Sequence, residues 1–223
     1  MTHQERTLTP AMEDYLRAIY DLSQEELPVH TTSLARAMNV APASVTGMLK
    51  RLATLGLVNH ERYGGAVLTE SGERVALQVM RHHRLIETYL AEALGVSWDE
   101  VHQQAHKLEH HISPEIHDRM DEALGFPERD PHGSPIPPKE GPFVVPRYTR
   151  LTEAEVGSHV IVREVLDEDG EHLRLLDAVG LRPDAELDLV ASSNGDSVTV
   201  LVDGKEAALD PELAASVFVE PLD

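Results

Sequence analysis

The chain predicts a mainly α N-terminal part, a winged helix-turn-helix followed by a helical domain, and a small β-barrel at the C-terminal end. Three observations predict this. Two short helical patterns meet at a tight turn and lead into a two-stranded hairpin. A run of longer helices rich in His and Glu follows. Beyond a segment with six prolines (126–142), helical periodicity gives way to short alternating runs separated by turns such as Ser193-Asn194-Gly195-Asp196 and Val202-Asp203-Gly204. The divisions fall at 1–73, 74–141 and 142–223.

Composition bounds the function. Of 223 residues, 41% are hydrophobic, 26% charged and 4% aromatic, as in a globular protein. No apolar run approaches the roughly 18 to 20 residues of a membrane span, and Met1–Arg6 lacks the apolar core of a signal peptide. The chain has no cysteine, which removes disulfides and thiolate metal sites. A cytoplasmic protein with no membrane partner is expected. The net charge of -20 opposes contact with phosphates. That charge is uneven, concentrating toward the C-terminus. Residues 31–62 hold Arg36, Lys50, Arg51 and Arg62 against one acid, Glu61, so one region is locally cationic.

Taken in order, residues 10–23 form a helix. Thr9 is placed to cap it, Pro10 suits its first turn, and Tyr15, Leu16, Ile19, Tyr20 and Leu22 recur at helical spacing. Thr32-Ser33 would cap a short helix to Met38, which Asn39–Pro42 breaks. A second short helix runs from Ala43 or Ser44 to Leu55, with Val45, Met48, Leu49, Leu52 and Leu55 inward. Its outward positions are Ser44, Thr46, Gly47, Lys50 and Arg51, small and polar first, basic later. Together with Ala41, Pro42 and Ala43, they form the expected DNA-reading surface. Gly56 stops the helix, Leu57–His60 and Ala66–Leu68 read as strands, and the turn between them carries Arg62 as a backbone-phosphate contact.

Residues 73–94 read as one long helix, on which His83 and Glu87 stand one turn apart. A helix over 98–111, capped by Ser97, would put His102, His106, Glu109 and His110 on one face, at i, i+4, i+7 and i+8. Three imidazoles and a carboxylate on one stripe are a donor set for borderline divalent metals. His111 falls off it. A further helix spans 115–124. The proline-rich segment is either a semi-extended linker or an ordered loop covering a neighbour. Strands are expected at 158–165, 173–177, 186–191, 197–201, 205–209 and 216–220, with a single helical turn at 210–214.

This succession resembles the diphtheria toxin repressor family of metal-dependent transcriptional repressors. The stretches that carry the likeness are Met12–Leu16, Arg81–Leu85, His102–His110 and Asp130-Pro131-His132-Gly133-Ser134-Pro135-Ile136-Pro137. The resemblance implies a three-domain form with an SH3-like barrel. It also implies a homodimer on a pseudo-palindromic operator, and repression of metal-uptake genes. A primary site of Asp14, His106, Glu109 and His110 is implied, with an ancillary site of His83, Glu87 and His102. Glu168 and Glu171 are the positions from which the barrel would add ligands.

Two departures from the family pattern matter. Iron-responsive members have methionine at the position of Asp14 and cysteine at that of His106. Manganese-responsive members have aspartate at the first. Asp14 therefore moves the site toward Mn(II), while His106 pulls back toward Fe(II), Co(II) or Zn(II). Mn(II) is the expected co-repressor and Fe(II) the alternative, with Zn(II), Co(II) or Cd(II) able to substitute in vitro. Gly47 stands where members place a base-reading glutamine, so readout must lean on Ala41, Ala43, Ser44, Thr46 and DNA shape.

Two other readings compete. His106-Lys107-Leu108-Glu109-His110 matches the H-x-x-E-H pattern of inverted zinc peptidases, but a peptidase leaves the winged helix without a role. A metal-independent winged-helix regulator is the other, separable by a gel shift with and without chelator. The regulator without catalytic activity is the expected class.

Overall fold

A computed structural model of the chain describes residues 8–61, 65–166, 169–193 and 197–222. The backbone forms two compact units that divide between His82 and His83.

The first unit is the winged helix. Helix α1 (Pro10–Ser23) starts at its proline as expected and buries Met12, Tyr15, Leu16, Ile19 and Tyr20. Thr9 does not cap it with its side chain. Its backbone carbonyl instead accepts from Met12 N at 2.8 Å and Glu13 N at 3.2 Å. Helix α2 (Thr31–Ala37) is preceded by His30 in the cap position, not by Thr32-Ser33. Helix α3 (Pro42–Thr54) uses Pro42 as its first residue, where a missing N–H costs nothing. Val45, Leu49 and Leu52 are fully buried beneath it, at about 1.5–3 kcal/mol each.

Strands β1 (Val58–Glu61) and β2 (Gly65–Leu68) pair antiparallel from Val58↔Leu68 to Glu61↔Gly65, and Val29 adds a bridge to Ala66. The wing tip, with Arg62, lies outside the described residues. Helix α4 (Glu70–Leu94) then begins three residues before the expected start, because Thr69 Oγ1 accepts from Gly72 N at 3.1 Å and donates to Gly56 O at 2.7 Å. A Cβ on Gly72 would stand 2.0 Å from Leu57 O, so only glycine lets the helix start this close to the wing.

The second unit contains the C-terminal part of α4, helices α5 (Val101–Leu108) and α6 (Pro114–Ala123), and the β domain. Ile86 and Leu90 of α4 pack on Val101 and Ala105 of α5, with Ile112 and Met120 alongside. Helix α5 is shorter than the expected 98–111. It begins after Glu100, whose N–H bonds Ser97 O at 2.9 Å, and Glu109 is its C-cap, so His110 lies in the turn beyond. The proline-rich segment is the ordered loop, not a free linker. Asp130 N bonds Ser134 O, Val165 N bonds His132 O, and Arg84 Nη1 donates to Pro135 O at 2.6 Å.

The β domain is a six-stranded antiparallel sheet. Its strands are β3 (Thr149–Arg150), β4 (His159–Val165), β5 (Glu186–Ser193), β6 (Ser197–Val202), β7 (Lys205–Leu209) and β8 (Val217–Pro221), in the order β3-β8-β4-β5-β6-β7. Register shifts in β4 and β5 curl it around one core. The strand expected at 173–177 is instead helix α7 (Gly170–Ala178). Asp169, read as a turn residue, caps it by accepting from Glu171 N at 2.8 Å, and Leu173 and Leu176 bury on one helical face. Helix α8 (Pro211–Ala215) is the expected single turn, capped by Asp210. Trp98, just ahead of α5, is buried in this β core. The helical layer and the sheet are thereby one packed body within the second unit.

Candidate metal centre

Helices α4 and α5 build the centre together. His83 and Glu87 are one turn apart on α4, and both are essentially without solvent exposure. His102, on the first turn of α5, closes the group. Glu87 Oε1 lies 3.0 Å from His83 Nε2 and 3.0 Å from His102 Nδ1, and the two imidazole nitrogens are 3.2 Å apart. One ligand atom from each residue falls within 4.8 Å of the others. Burial alone would raise the Glu87 carboxyl. Hydrogen bonds from His102 and His83, with the charges of His83 and His132, outweigh burial and hold it well below the usual carboxylate range. It is an anion in a closed interior, and its Oε2 has no hydrogen-bond partner among the described residues.

Glu109 occupies the middle of the arrangement. Its Oε2 is 2.8 Å from His83 Nδ1, and its Oε1 is 2.5 Å from His106 Nδ1. His110 Nε2 is 3.6 Å from the same Oε1. His83 stands between two carboxylates, Glu109 at Nδ1 and Glu87 at Nε2; with a cation bound, an Nδ1–H donated to Glu109 would leave the Nε2 lone pair for the ion. That is the tautomer and the carboxylate support a metal-binding imidazole requires. His83, His106 and Glu109 also offer atoms within 4.8 Å of one another, so the ancillary and primary sets implied by the sequence meet through Glu109. Sequence spacing did not show this link. The donors are imidazole nitrogens and carboxylate oxygens only, a set for Mn(II), Fe(II) or Zn(II). The orphaned Glu87 oxygen in a site of this charge fits a resident divalent cation.

The remaining expected residues are distributed as follows. Asp14 stands on α1 in the first unit, half-buried. Glu171 is exposed in the first turn of α7, and it is in none of the ligand groups found among the described residues. Glu168 lies outside those residues. On the winged helix, Ala41, Pro42, Ala43, Ser44, Gly47, Lys50 and Arg51 are exposed and Thr46 is half-buried. Together they form the face of α3 opposite Val45, Leu49 and Leu52. Nothing lies within 4 Å of a Cβ built on Gly47. Asp130 and His132, in a stretch that carries the family likeness, were given no ligand role from the sequence, yet both are buried. Their one signal was an aspartate and a histidine fixed in a short proline- and glycine-bounded turn.

Residues 7–66 match the iron dependent repressor N-terminal DNA binding domain, residues 69–138 the iron dependent repressor metal binding and dimerisation domain, and residues 149–221 the FeoA domain. The iron-dependent repressor IdeR of Mycobacterium tuberculosis (strain ATCC 25618 / H37Rv) is 32% identical over 226 residues, spanning 96% of this chain and 98% of its own length. The chain belongs to the iron-dependent repressor family. It is a metal-dependent, DNA-binding transcriptional repressor with a helical dimerisation region and an SH3-like β domain. A solved manganese-dependent transcriptional repressor in complex with manganese superposes on this repressor with a TM-score of 0.87 at 36% identity, covering 95% of this chain and 100% of its own. ScaR with bound Zn2+ superposes at 0.81 and 31% identity, covering 95% and 99%. No helix among the described residues of the repressor is long and apolar enough to cross a membrane.

Proposed function

We propose that the repressor is a cytoplasmic manganese sensor that shuts off metal-uptake genes, with Fe(II) as the alternative co-repressor. The observation that carries the metal reading is the buried His83–Glu87–His102 group tied through Glu109 to His106. The absence of cysteine and the aspartate at position 14 support Mn(II) over softer ions. So does the likeness to a manganese-dependent repressor over nearly the whole chain. Affinity alone ranks Zn(II) above both, so Zn(II), Co(II) and Cd(II) are expected to substitute in vitro.

Two sets of residues hold the ions in this reading. Asp14, His106, Glu109 and His110 form the primary set, and His83, Glu87 and His102 the ancillary one. Glu168 and Glu171 are further candidates for the ancillary set. The bound cation supplies charge neutralisation and a fixed ligand geometry. The protein's part is to translate that geometry. Asp14 belongs to α1, the helix that leads into the DNA-binding unit, and Glu109 belongs to the unit that carries the sensor. An ion held by both carboxylates would favour the arrangement competent for DNA. Glu109, shared between His106 and His83, couples occupancy of one set to order in the other.

Three functional parts follow, at 1–73, 74–141 and 142–223, in line with the three spans of family likeness. The exposed Leu94, Leu108 and Ile116 are apolar surface for the homodimer, which would set two copies of α3 on a pseudo-palindromic operator. Ala41, Pro42, Ala43, Ser44, Thr46 and Gly47 would read the groove, and Lys50, Arg51 and Arg62 would hold phosphates. We assign no catalytic role to the H-x-x-E-H sequence. A general base must be open to the water it deprotonates, whereas both oxygens of Glu109 are engaged by imidazoles in a buried site.

The test is binding to an operator fragment selected by the Mn(II)-loaded protein from a random DNA pool. Binding is titrated with Mn(II), Fe(II) and Zn(II), each buffered at cellular free concentrations. Activation by Mn(II) in its physiological range is expected. Activation by Fe(II) alone in its own range would transfer the sensor to iron.

A further inference from the structure

Of His83, Glu87 and His102, only His102 lies outside α4. His83 and Glu87 share a 25-residue helix whose backbone fixes their spacing. Helix α5 has 8 residues, too few to hold itself in place. Its small apolar face, Val101 and Ala105, packs on Ile86 and Leu90. His102 nevertheless stands 3.0 Å from Glu87 Oε1 and 3.2 Å from His83 Nε2. An ion shared by three residues tolerates little error in any of them. What anchors the start of α5 therefore bears on metal affinity.

The anchor comes from the β domain. Ser97 O accepts from Glu100 N at 2.9 Å and from Val101 N at 3.1 Å, so the turn 97–100 leads straight into the helix. Trp98, in that turn, is buried in the same core as Leu173 and Leu176 of α7. The Arg182 guanidinium lies 4.9 Å from its ring centroid, and Arg182 Nε donates to Asp177 Oδ1. Arg174 Nη1 donates to Asp99 Oδ2 at 2.9 Å. This bond is the main reason that the Asp99 carboxyl sits below the usual carboxylate range. Gly170, the first residue of α7, completes the clasp. A Cβ there would stand 2.8 Å from Asp99 O. The backbone of Gly170 is not left-handed, so the close approach alone calls for glycine.

We propose that Arg174 and Gly170 of α7 are positioning residues for His102. By holding Asp99 they fix the first turn of α5, and the β domain thereby sets the affinity of the His83–Glu87–His102 set for a divalent cation, independently of any ligand atom from the barrel. The proposal rests on the reading of those three residues as an ion-binding set. The path is short, because the turn closed by Ser97 O runs directly from Asp99 to the residues that open α5. Coupling of this kind is reciprocal, so an ion on His102 tightens the hold of the β domain on α5.

The test is Mn(II) titration calorimetry on the full chain, with the thermal midpoint of the metal-free protein beside it. Wild type, Arg174→Glu, Arg174→Lys, Gly170→Ala and His102→Ala are compared. Arg174→Glu reverses the charge opposite Asp99 at a position whose side chain is 62% exposed. Through its field alone the added negative charge would strengthen cation binding, so a loss at an unchanged midpoint reports displacement. Affinity at the site that His102→Ala removes is expected to fall by about 10-fold, as for residues that support ligands. Arg174→Lys keeps a cation for the single bond to Oδ2 and is expected to bind like wild type. Gly170→Ala raises helix propensity yet forces Asp99 away, and is expected to weaken binding too. Wild-type affinity in either Arg174→Glu or Gly170→Ala overturns the proposal. So does a loss that Arg174→Lys repeats in full, or one that only follows a lowered midpoint. His102→Ala separates the two ideas. If it binds Mn(II) as wild type does, the underlying set is what fails, and the proposal with it.

Discussion

At the scale of single residues, Glu87 and Gly47 make the proposed sensing and reading testable. Glu87 is a fully buried anion stabilised by imidazoles on one oxygen. Glu87→Gln keeps the shape and removes the charge, so Mn(II) affinity at this set should fall by at least about 10-fold, the lower end of what even supporting residues contribute. Titration calorimetry with Mn(II) on the full chain reads it; unchanged heats and affinity would remove Glu87 from the site. Gly47 lies inside α3, is exposed, and has open space where a Cβ would go. Gly47→Ala should therefore raise stability by about 0.5–1 kcal/mol through helix propensity alone, measured by urea denaturation. A loss of stability would mean that the space around α3 is not open. The helix gives up that stability for a bare surface, which suits close approach to a groove in place of a reading side chain.

At the scale of elements, the Asp130–Ser134 turn and strand β4 make separate tests. Gly133 has both a left-handed φ and the backbone of Arg163 where a side chain would point. Gly133→Ala should cost about 1–3 kcal/mol from backbone strain, with the clash added to it, lowering the denaturation midpoint. A midpoint equal to wild type would contradict the packing described. On β4, His159 is exposed and its pKa is raised, first by the hydrogen bond to Asp188 and further by Glu186. A raised folded-state value means that the stabilising pair is fully present below the ordinary value of about 6.5. It is lost as pH rises through the folded value. Proton NMR should show His159 titrating above that ordinary value and returning toward it in Asp188→Asn; identical titration in both proteins would discount the pair.

Elements also differ in how far sequence alone exposes them. Helix α1 was legible to its first and last residues, because a proline marks its start and five apolar side chains keep its period. Helix α7 was not. Leu173 and Leu175 alternate as in a strand, but burial follows Leu173 and Leu176, and Leu175 is left exposed. Helix α5 looked longer than it is, because the polar stripe continues past the point where Glu109 caps the chain. The candidate ligand residues on α4 and α5 were visible as spacing. The meeting of His83 with Glu109 depends on how α5 packs against α4, and the placement of Asp130 and His132 beside Glu87 on the loop after α6. Local periodicity carries no record of that.

At the scale of the whole molecule, a protein of net charge -20 binds DNA only if its cationic face is presented correctly, since the rest of its surface repels phosphate. That makes it well suited to a switch. A small change in the arrangement of the winged helix has a large effect on binding, and a cation that differs in affinity between two arrangements can supply it. We propose that Asp14 and Glu109 carry this coupling. The measurement that tests it most directly is a gel shift on the Mn(II)-selected operator fragment, with and without chelator, for wild type, Asp14→Ala and Glu109→Gln. A chelator-sensitive complex is expected for wild type and none for either folded variant at the same Mn(II). Full metal-dependent binding retained by both variants would contradict it.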